Sequence, residues 1–294
     1  MLDRIKNLVR NINYLTKHSL WEQREEDIVF LTNKILDDGV YEYGLDLTGY
    51  EKLNILDLWD SIEYIAKTNK SFVRFGDGEI NLMKGISQPF QEYDKELVDR
   101  LYLLLMRPDP NIVVGINNDY FVPLYNDQNN SYNRRHSYDF RKFLYKNCNR
   151  DTTYIDGSFT FWTFGEHSAK SEKFWNTWKE MFRNKKIAII CGKGILDELE
   201  YDVFELCKEC QYIYGPRKHA WSQHTELIKE IVSTVEKDKI LIFILGMAGK
   251  AMIPEVCNLG YTAWDIGHLA KGYNYYMKGV QYSEESVKMF FSPD

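Results

Sequence analysis

From about residue 54 onward the apolar residues alternate between two spacings, which predict strands and helices in turn. Short apolar runs predict strands at 71–75, 111–116, 186–191, 211–214, 239–245 and 262–266. Helical spacing predicts helices at 55–65, 94–106, 136–147, 168–183, directly after Gly194, at 227–235 and in a stretch ending near Leu259. Apolar strands that alternate with helices predict an α/β fold, a Rossmann-like and mostly parallel sheet with helices on both faces.

The first 45 residues are predicted to form a helical extension, 1–45, before a main domain at 46–294. Residues 1–18 have apolar positions at helical spacing and carry basic residues on the same helix. Such a helix either packs on its own domain, which we favour, or lies on an anionic membrane surface. A second helix is predicted at 21–38, and a polar surface loop, a candidate lid, at 126–135.

The composition is that of an ordinary soluble protein, with 44% hydrophobic and 27% charged residues among 294. The net charge of −6 and the lack of a basic tract argue against nucleic-acid binding. No apolar run approaches the ~20 residues that span a membrane, and no signal peptide is recognisable. Five cysteines without a disulfide-like spacing indicate a reducing compartment. We therefore expect a cytoplasmic protein, with the inner face of the cell membrane as the alternative location.

An acidic, glycine-flanked turn follows the first predicted strand. Asp77 and Glu79 are two residues apart, so an extended backbone would point both carboxylates to the same side. Gly76 and Gly78 permit a tight bend and the close approach of a ligand. Mn²⁺ and Mg²⁺ prefer carboxylate oxygens, often together with substrate phosphates. We therefore predict a site where a metal holds a diphosphate and Arg74 adds a contact, with an ordinary Asp-Gly hairpin turn as the alternative.

Two further glycine-bearing turns lie at strand ends. Gly192 and Lys193 follow one predicted strand, and Gly246 and Lys250 follow another. Between a strand and a helix such turns favour phosphate, because backbone N–H groups and the helix dipole face the ligand. Neither turn matches a P-loop or a dinucleotide-binding fingerprint, and glycines also occur in such turns for packing alone. These four residues are candidate phosphate ligands.

Asp265 and His268 lie at the end of the last predicted strand. Ligands of open parallel sheets bind beyond the carboxyl ends of the strands, so this strand end is another candidate position. A histidine there could be a base, a metal ligand or a phosphate contact. The alternative is a structural histidine whose ring is hydrogen-bonded within the protein.

Taken in their order along the chain, these segments resemble the GT-D-type bacterial glycosyltransferases, which help build surface-glycoprotein glycans and polysaccharides. The resemblance covers roughly residues 55–280, and the order of the motifs along an alternating α/β pattern carries most of its specificity. The segments are Arg74-Phe-Gly-Asp77-Gly-Glu79; Gly115-Ile116 with Tyr120-Phe121; Cys191-Gly-Lys-Gly194 through Asp202-Val-Phe204 to Gly215-Pro216 and Ala220-Trp221; and Leu245-Gly246 through Gly260-Tyr261 to Asp265-Ile-Gly-His268.

The resemblance implies a GT-D-like fold and a transferase that moves a sugar from a UDP-sugar to a glycan or lipid-linked acceptor. It implies that Asp77 and Glu79 hold Mn²⁺ or Mg²⁺ against the diphosphate, whose developing charge needs a Lewis acid. Arg74, Lys193 or Lys250 would share that charge. The sequence leaves the oligomeric state open, with a homo-oligomer as one alternative.

The acceptor side of the predicted site departs from the family. The resemblance places His268 near the donor, and Asp265 is the candidate base for the acceptor hydroxyl. Family members tend to follow Asp-Ile-Gly-His with acids, but 269–275 contains none, and 158–162 lacks an arginine that relatives often have. These departures motivate a second hypothesis, a catalytically silent nucleotide-sugar-binding partner in a glycosylation complex. A third is a phosphate-ester hydrolase or phosphotransferase that uses the same metal turn.

Overall fold

The computed structural model describes residues 53–107, 109–121, 137–163 and 165–292. The predicted extension 1–45, with its helices at 1–18 and 21–38, and the predicted loop at 126–135 lie outside the described residues. The chain divides into two compact units. One comprises Lys52–Asn118 and Asn147–Asp294, and the described part of the other is 119–121 and 137–146.

The first unit is built on a seven-stranded sheet in which every pair of neighbouring strands is parallel. The strands are β1 Ser71–Phe75, β2 Ile112–Ile116, β3 Ile155–Asp156, β4 Lys186–Gly192, β5 Glu209–Gly215, β6 Ile240–Ile244 and β7 Thr262–Asp265. Their order is β3-β2-β1-β7-β6-β4-β5, so β1 and β7 are neighbours near the middle of the sheet. The predicted parallel α/β sheet is confirmed.

Helices occupy most of the connections between the strands. They are α1 Leu58–Thr68, α2 Asp77–Met83, α3 Lys95–Met106, α4 Ser137–Asn147, α5 Ala169–Phe182, α6 His224–Thr234, α7 Gly246–Asn258, α8 Leu269–Met277 and α9 Glu284–Phe291. All of α4 except its last residue belongs to the second unit. All five residues of β2 are buried, as expected for a strand covered on both faces. In the part of the chain that the structure describes, no helix is long and apolar enough to cross a bilayer.

The connection from β4 to β5 is formed by turns, although the sequence predicts a helix after Gly194. The backbone N–H groups of Glu200 and Tyr201 donate to Asn274 Oδ1, at 3.0 and 3.2 Å. This side-chain oxygen takes two N–H groups that a helix would have used for its own carbonyls. The prediction is therefore wrong, because its local pattern contained no sign of a partner more than 70 residues away.

Phe72 anchors β1 in the core. Its buried ring lies 4.9 Å from the ring centroid of Phe159 and 5.8 Å from that of Trp264. Ser71 Oγ accepts the backbone N–H of Ala263 at 2.9 Å and so links β1 to β7. Since aromatic packing and interstrand bonds fix β1, they also fix the turn that follows it.

Candidate active site at the carboxyl edge of the sheet

The acidic turn is the beginning of a helix. Helix α2 starts at Asp77, directly after β1 and Gly76, so Asp77 and Glu79 are its first and third residues. The N–H of Gly76 donates to Glu79 Oε2 at 2.7 Å, which caps the helix. The predicted extended backbone is therefore wrong. The alternative of a hairpin turn is also wrong, because both neighbours of β1 are parallel to it.

Three buried ionisable side chains meet beside this turn. Lys250, on α7, places Nζ 2.8 Å from Glu79 Oε1 and 3.5 Å from Asp265 Oδ2. Glu79, Lys250 and Asp265 are 6%, 5% and 2% exposed. A buried charge requires a partner, and here one ammonium group serves carboxylates from two other elements. The sequence pointed to Lys250 as a phosphate ligand but not to this pairing.

Arg74, on β1, joins Glu79, Lys250 and Asp265 in a largely buried cluster of four side chains, of which only Arg74 is partly exposed. Its backbone N–H donates to Asp265 Oδ2 at 3.0 Å, and its Nε donates to the Asp265 carbonyl at 2.9 Å. Nη2 lies 3.4 Å from Asp265 Oδ1, and Nη1 donates to the carbonyl of Gly157 at 3.3 Å. The guanidinium therefore ties together the ends of β1, β7 and the segment after β3.

Gly267 makes room for Arg74. It has φ of +52°, and a Cβ at this position would overlap Nη2 of the arginine. We expect Gly267→Ala to displace the guanidinium and to lower the free energy of unfolding by about 2 to 4 kcal/mol, through backbone strain and overpacking. Gly279→Ala is the matched control, because Gly279 has φ of +64° but no atom within 4 Å of an added Cβ.

The control should cost about 1 kcal/mol, from backbone strain alone. Urea unfolding of the two variants measures the difference. Equal losses in Gly267→Ala and Gly279→Ala would contradict the proposed contact between Gly267 and the guanidinium.

Asp77 differs from the other acids at this edge. It is partly buried and forms no ion pair among the described residues. Burial raises the pKa of Asp77, and the charge of Glu79 raises it further, against the opposing effect of the backbone N–H groups at the start of α2 and of Lys250. A partly buried carboxylate without an ion-pair partner is suited to receive a cation.

The carboxylate oxygens at this site suit a hard divalent cation that also coordinates oxygens of a bound substrate. Carboxylate oxygens are the donors that Mn²⁺ and Mg²⁺ prefer, and the Asp77 carboxylate is not committed to an ion pair with any described residue. Within the described ranges, no group of three or more His, Cys, Asp or Glu side chains could hold a metal by itself. A cation at Asp77 would therefore complete its coordination with oxygens from elsewhere, such as those of a diphosphate.

His268 lies just after β7 and packs against three phenylalanine rings. The ring centroids of Phe90, Phe290 and Phe291 are 6.4, 5.3 and 5.2 Å away. Burial, together with the positive charges of Arg74 and two lysines, lowers the pKa of His268 to about 3. The imidazole is therefore neutral near pH 7.

We expect His268→Phe to flatten the pH dependence of stability. In the unfolded chain the imidazole titrates near 6.5, so its contribution is present above that pH and is lost as pH falls toward the folded value of about 3. Between about pH 7 and about pH 5 the wild type should lose about 1 kcal/mol more than the variant, allowing for the ring's partial exposure. Urea unfolding at both pH values tests this, and equal losses would contradict it.

The turn after β4 differs from its predicted setting. In the described segment between β4 and β5 no helix follows Gly192 and Lys193, so the helix that the phosphate prediction required is missing there. A Cβ at Gly192 would lie 2.8 Å from Cα of Arg217, which shows that close packing requires the glycine. Lys193 is exposed. Gly246, with φ of +55°, does begin the 13-residue helix α7, as predicted. Phosphate contacts at these turns stay predictions.

Sequence reasoning missed Gly157 and Gly267 at this edge, and it expected Gly78 to admit a ligand, not to make room for a neighbouring helix. Gly157 supplies a carbonyl to Arg74, and Gly267 supplies space for it. A Cβ at Gly78 would lie 2.7 Å from Met247 Cε, so this glycine lets α2 approach α7 closely. The available signal was a glycine shortly after β3 and another shortly after β7.

Comparison with known proteins identifies the class. The family described as the glycosyltransferase GT-D fold matches residues 72–289, from β1 into α9, and this range contains the whole buried cluster. The chain belongs to the family of GT-D-fold glycosyltransferases. This confirms the family inferred from the order of the motifs.

Two relatives carry glycosyltransferase names. The chain is 24% identical over 261 residues to the probable glycosyl transferase Gly of Streptococcus gordonii, covering 85% of this chain and 37% of that protein. It is 25% identical over 259 residues to glycosyltransferase GlyD of Streptococcus pneumoniae serotype 4, covering 84% and 30%. The chain therefore spans about a third of the length of these relatives.

Solved structures share the fold. The domain of unknown function 1792, described as having a distinct glycosyltransferase fold, superposes with a TM-score of 0.71 at 25% identity, covering 86% of this chain and 87% of that one. A protein from Streptococcus sanguinis described as a new glycosyltransferase gives 0.70 at 23% identity, covering 79% and 87%. These likenesses show that the chain shares its fold with these structures.

Proposed function

We propose that the chain is a metal-dependent glycosyltransferase that moves a sugar from a UDP-sugar to a glycan or lipid-linked acceptor in bacterial surface polysaccharide or glycoprotein assembly. The observation that carries the proposal is the position of Asp77, at the carboxyl end of a central parallel strand and without an ion pair to any described residue. Open parallel sheets bind their ligands at this edge. Membership of the GT-D family supports sugar transfer.

The acidic turn that carries Asp77 and Glu79 would hold Mn²⁺ or Mg²⁺ against the donor diphosphate. When bound, the cation supplies Lewis-acid stabilisation of the leaving diphosphate. Arg74 and Asp265 hold the ends of β1 and β7 together, so the turn needs little reorganisation when charge develops. His268 offers the donor an uncharged hydrogen-bonding ring.

The acceptor hydroxyl needs a base if the reaction inverts configuration, and Asp265 is the predicted candidate. Both of its carboxylate oxygens face donors from Arg74 or Lys250, and the residue is 2% exposed. A hydroxyl would have to replace one of these donors before Asp265 could accept its proton. These contacts favour a positioning role for Asp265.

The same burial of Asp265, with the lack of acids at 269–275, favours the second candidate function. In that case the chain binds a nucleotide sugar as a silent partner in a glycosylation complex. We keep three further predictions: location in the cytoplasm, contact of 1–18 with the membrane, and assembly into a homo-oligomer.

Turnover of UDP-sugars tests the proposal. The full chain is incubated with Mn²⁺, a panel of UDP-hexoses and UDP-N-acetylhexosamines, and simple aryl glycosides as acceptors, and released UDP is measured. We expect UDP release that rises with one acceptor and stops with EDTA. Binding without release across the panel would favour the silent partner, and release of inorganic phosphate alone would favour a hydrolase.

A further inference from the structure

We propose that Lys250 acts as a fixed internal cation that keeps Glu79 as a structural cap, so that Asp77 is the only carboxylate of the turn that ligates the metal. The inference rests on the proposed function and specifies its metal site. It departs from the sequence-based expectation that Asp77 and Glu79 hold the metal together.

Both carboxylate oxygens of Glu79 are already committed. Oε2 accepts the N–H of Gly76 at 2.7 Å, and Oε1 lies 2.8 Å from Lys250 Nζ. At 6% exposure, Glu79 has little contact with solvent through which a hydrated cation could reach it. To ligate a metal it would have to give up either the cap of α2 or its ion pair.

The charge balance of the cluster points the same way. Glu79 and Asp265 contribute two negative charges, and Arg74 and Lys250 contribute two positive charges. A divalent cation on Glu79 would lie within a few ångströms of the Lys250 ammonium, and like charges repel strongly where solvent is excluded. The position that the metal would need beside Glu79 is therefore held by the lysine.

Asp77 has the opposite properties. It is only partly buried and forms no ion pair among the described residues, and it stands at the first position of α2. A cation held by one protein carboxylate needs further oxygens, which a diphosphate can supply. Metal and nucleotide should therefore bind cooperatively, each raising the affinity for the other.

Four variants of the full chain test the assignment: Asp77→Asn, Glu79→Gln, Lys250→Met and the double variant Glu79→Gln/Lys250→Met. UDP affinity is measured by calorimetry at fixed Mn²⁺. Mn²⁺ affinity without nucleotide is measured from the electron paramagnetic resonance signal of the free ion. Thermal unfolding confirms that each variant is folded.

We expect Asp77→Asn to lower the Mn²⁺-dependent UDP affinity by about 100-fold or more, as when one partner of a charge pair is removed. Glu79→Gln, whose amide oxygen can still accept the Gly76 N–H, should stay within about threefold of the wild type. Lys250→Met frees Glu79 and should raise the nucleotide-free Mn²⁺ affinity by about tenfold. The double variant should lose that gain, because the amide introduced by Glu79→Gln carries no charge.

Two results would overturn the inference while leaving the proposed function in place. One is a loss of UDP affinity in folded Glu79→Gln as large as that in Asp77→Asn. The other is a folded Lys250→Met with no gain in Mn²⁺ affinity. If Lys250→Met does not fold, the comparison of Glu79→Gln with Asp77→Asn decides alone. UDP binding by the wild type that is indifferent to Mn²⁺ would overturn both the metal-dependent function and the inference.

Discussion

Asp77→Asn is expected to lower the Mn²⁺-dependent UDP affinity by about 100-fold or more and sugar transfer by about 10³-fold or more, since the leaving diphosphate loses its Lewis acid. The free energy of unfolding should change by no more than about 1 kcal/mol, the contribution of an acid at a helix start. Calorimetry and UDP release measure the two functional effects, and urea unfolding measures the third. A large loss of function at unchanged stability would show that Asp77 acts in binding and turnover and not in stabilising the fold.

Asp238→Asn is the matched control for this substitution. Asp238 precedes β6 at the opposite edge of the sheet, is exposed, and pairs with Lys186 at 2.6 Å. The same chemical change there should leave UDP binding and turnover unaltered, since an exposed ion pair contributes little. If Asp77→Asn turned over at the wild-type rate, the acidic turn would have no role in the mechanism.

Asp265→Ala is expected to lower the free energy of unfolding by about 3 to 5 kcal/mol. The substitution removes the acceptor of the Arg74 backbone N–H and of one guanidinium nitrogen, and it leaves Lys250 with one carboxylate where it had two. Arg74 would then lack its carboxylate partner, and the buried Lys250 would keep only Glu79. Urea unfolding measures the loss.

Asp265→Asn separates the positioning role from that of a base. The amide keeps the size of the side chain and an oxygen that can accept the Arg74 N–H, so more stability should survive than in Asp265→Ala. If Asp265 only positions, the pH profile of turnover should keep its shape in Asp265→Asn. If it is the base, turnover should fall by about 10² to 10⁴-fold and the basic limb of the profile should move.

Most of the sheet could be predicted because short apolar runs mark most of its strands, whereas the two-residue strand β3, Ile155–Asp156, was not predicted. The strand predicted at 71–75 is β1 residue for residue, and the other predicted strands differ from the observed ones by one or two residues at their ends. A strand that is buried on both faces has a continuous apolar run, and this run can be recognised in the strand's own sequence. Strand order is set by tertiary packing, so no sequence pattern indicated that β1 and β7 are neighbours and that Arg74 meets Asp265.

Helix α2 and the turns between β4 and β5 could not be predicted, because distant or short-range polar contacts decide them. Helix α2 contains Gly78 and has seven residues, and its start depends on the cap from Glu79 to Gly76. The turns depend on Asn274, which belongs to α8. Sequence patterns show the spacing of apolar residues along an element, whereas these contacts depend on single polar side chains.

The candidate site could likewise be predicted only in part. The motif around Asp77 pointed to this edge of the sheet, where the structure places four of the candidate ligands in contact. The burial of Lys250 between Glu79 and Asp265 had no counterpart in the sequence, since lysine is ordinarily exposed. Only the packing of α7 beside α2 and β7 reveals that this lysine is an ion-pair partner.

The most direct test is a calorimetric titration of the wild-type chain with UDP, with Mn²⁺ and then with EDTA. We expect saturable binding that weakens by about 100-fold when EDTA removes the metal. Other nucleoside diphosphates, titrated under the same conditions, establish whether the preference is for uridine. If neither UDP nor any other nucleoside diphosphate binds when Mn²⁺ is present, the carboxyl edge of the sheet is not a donor site and the central claim is contradicted.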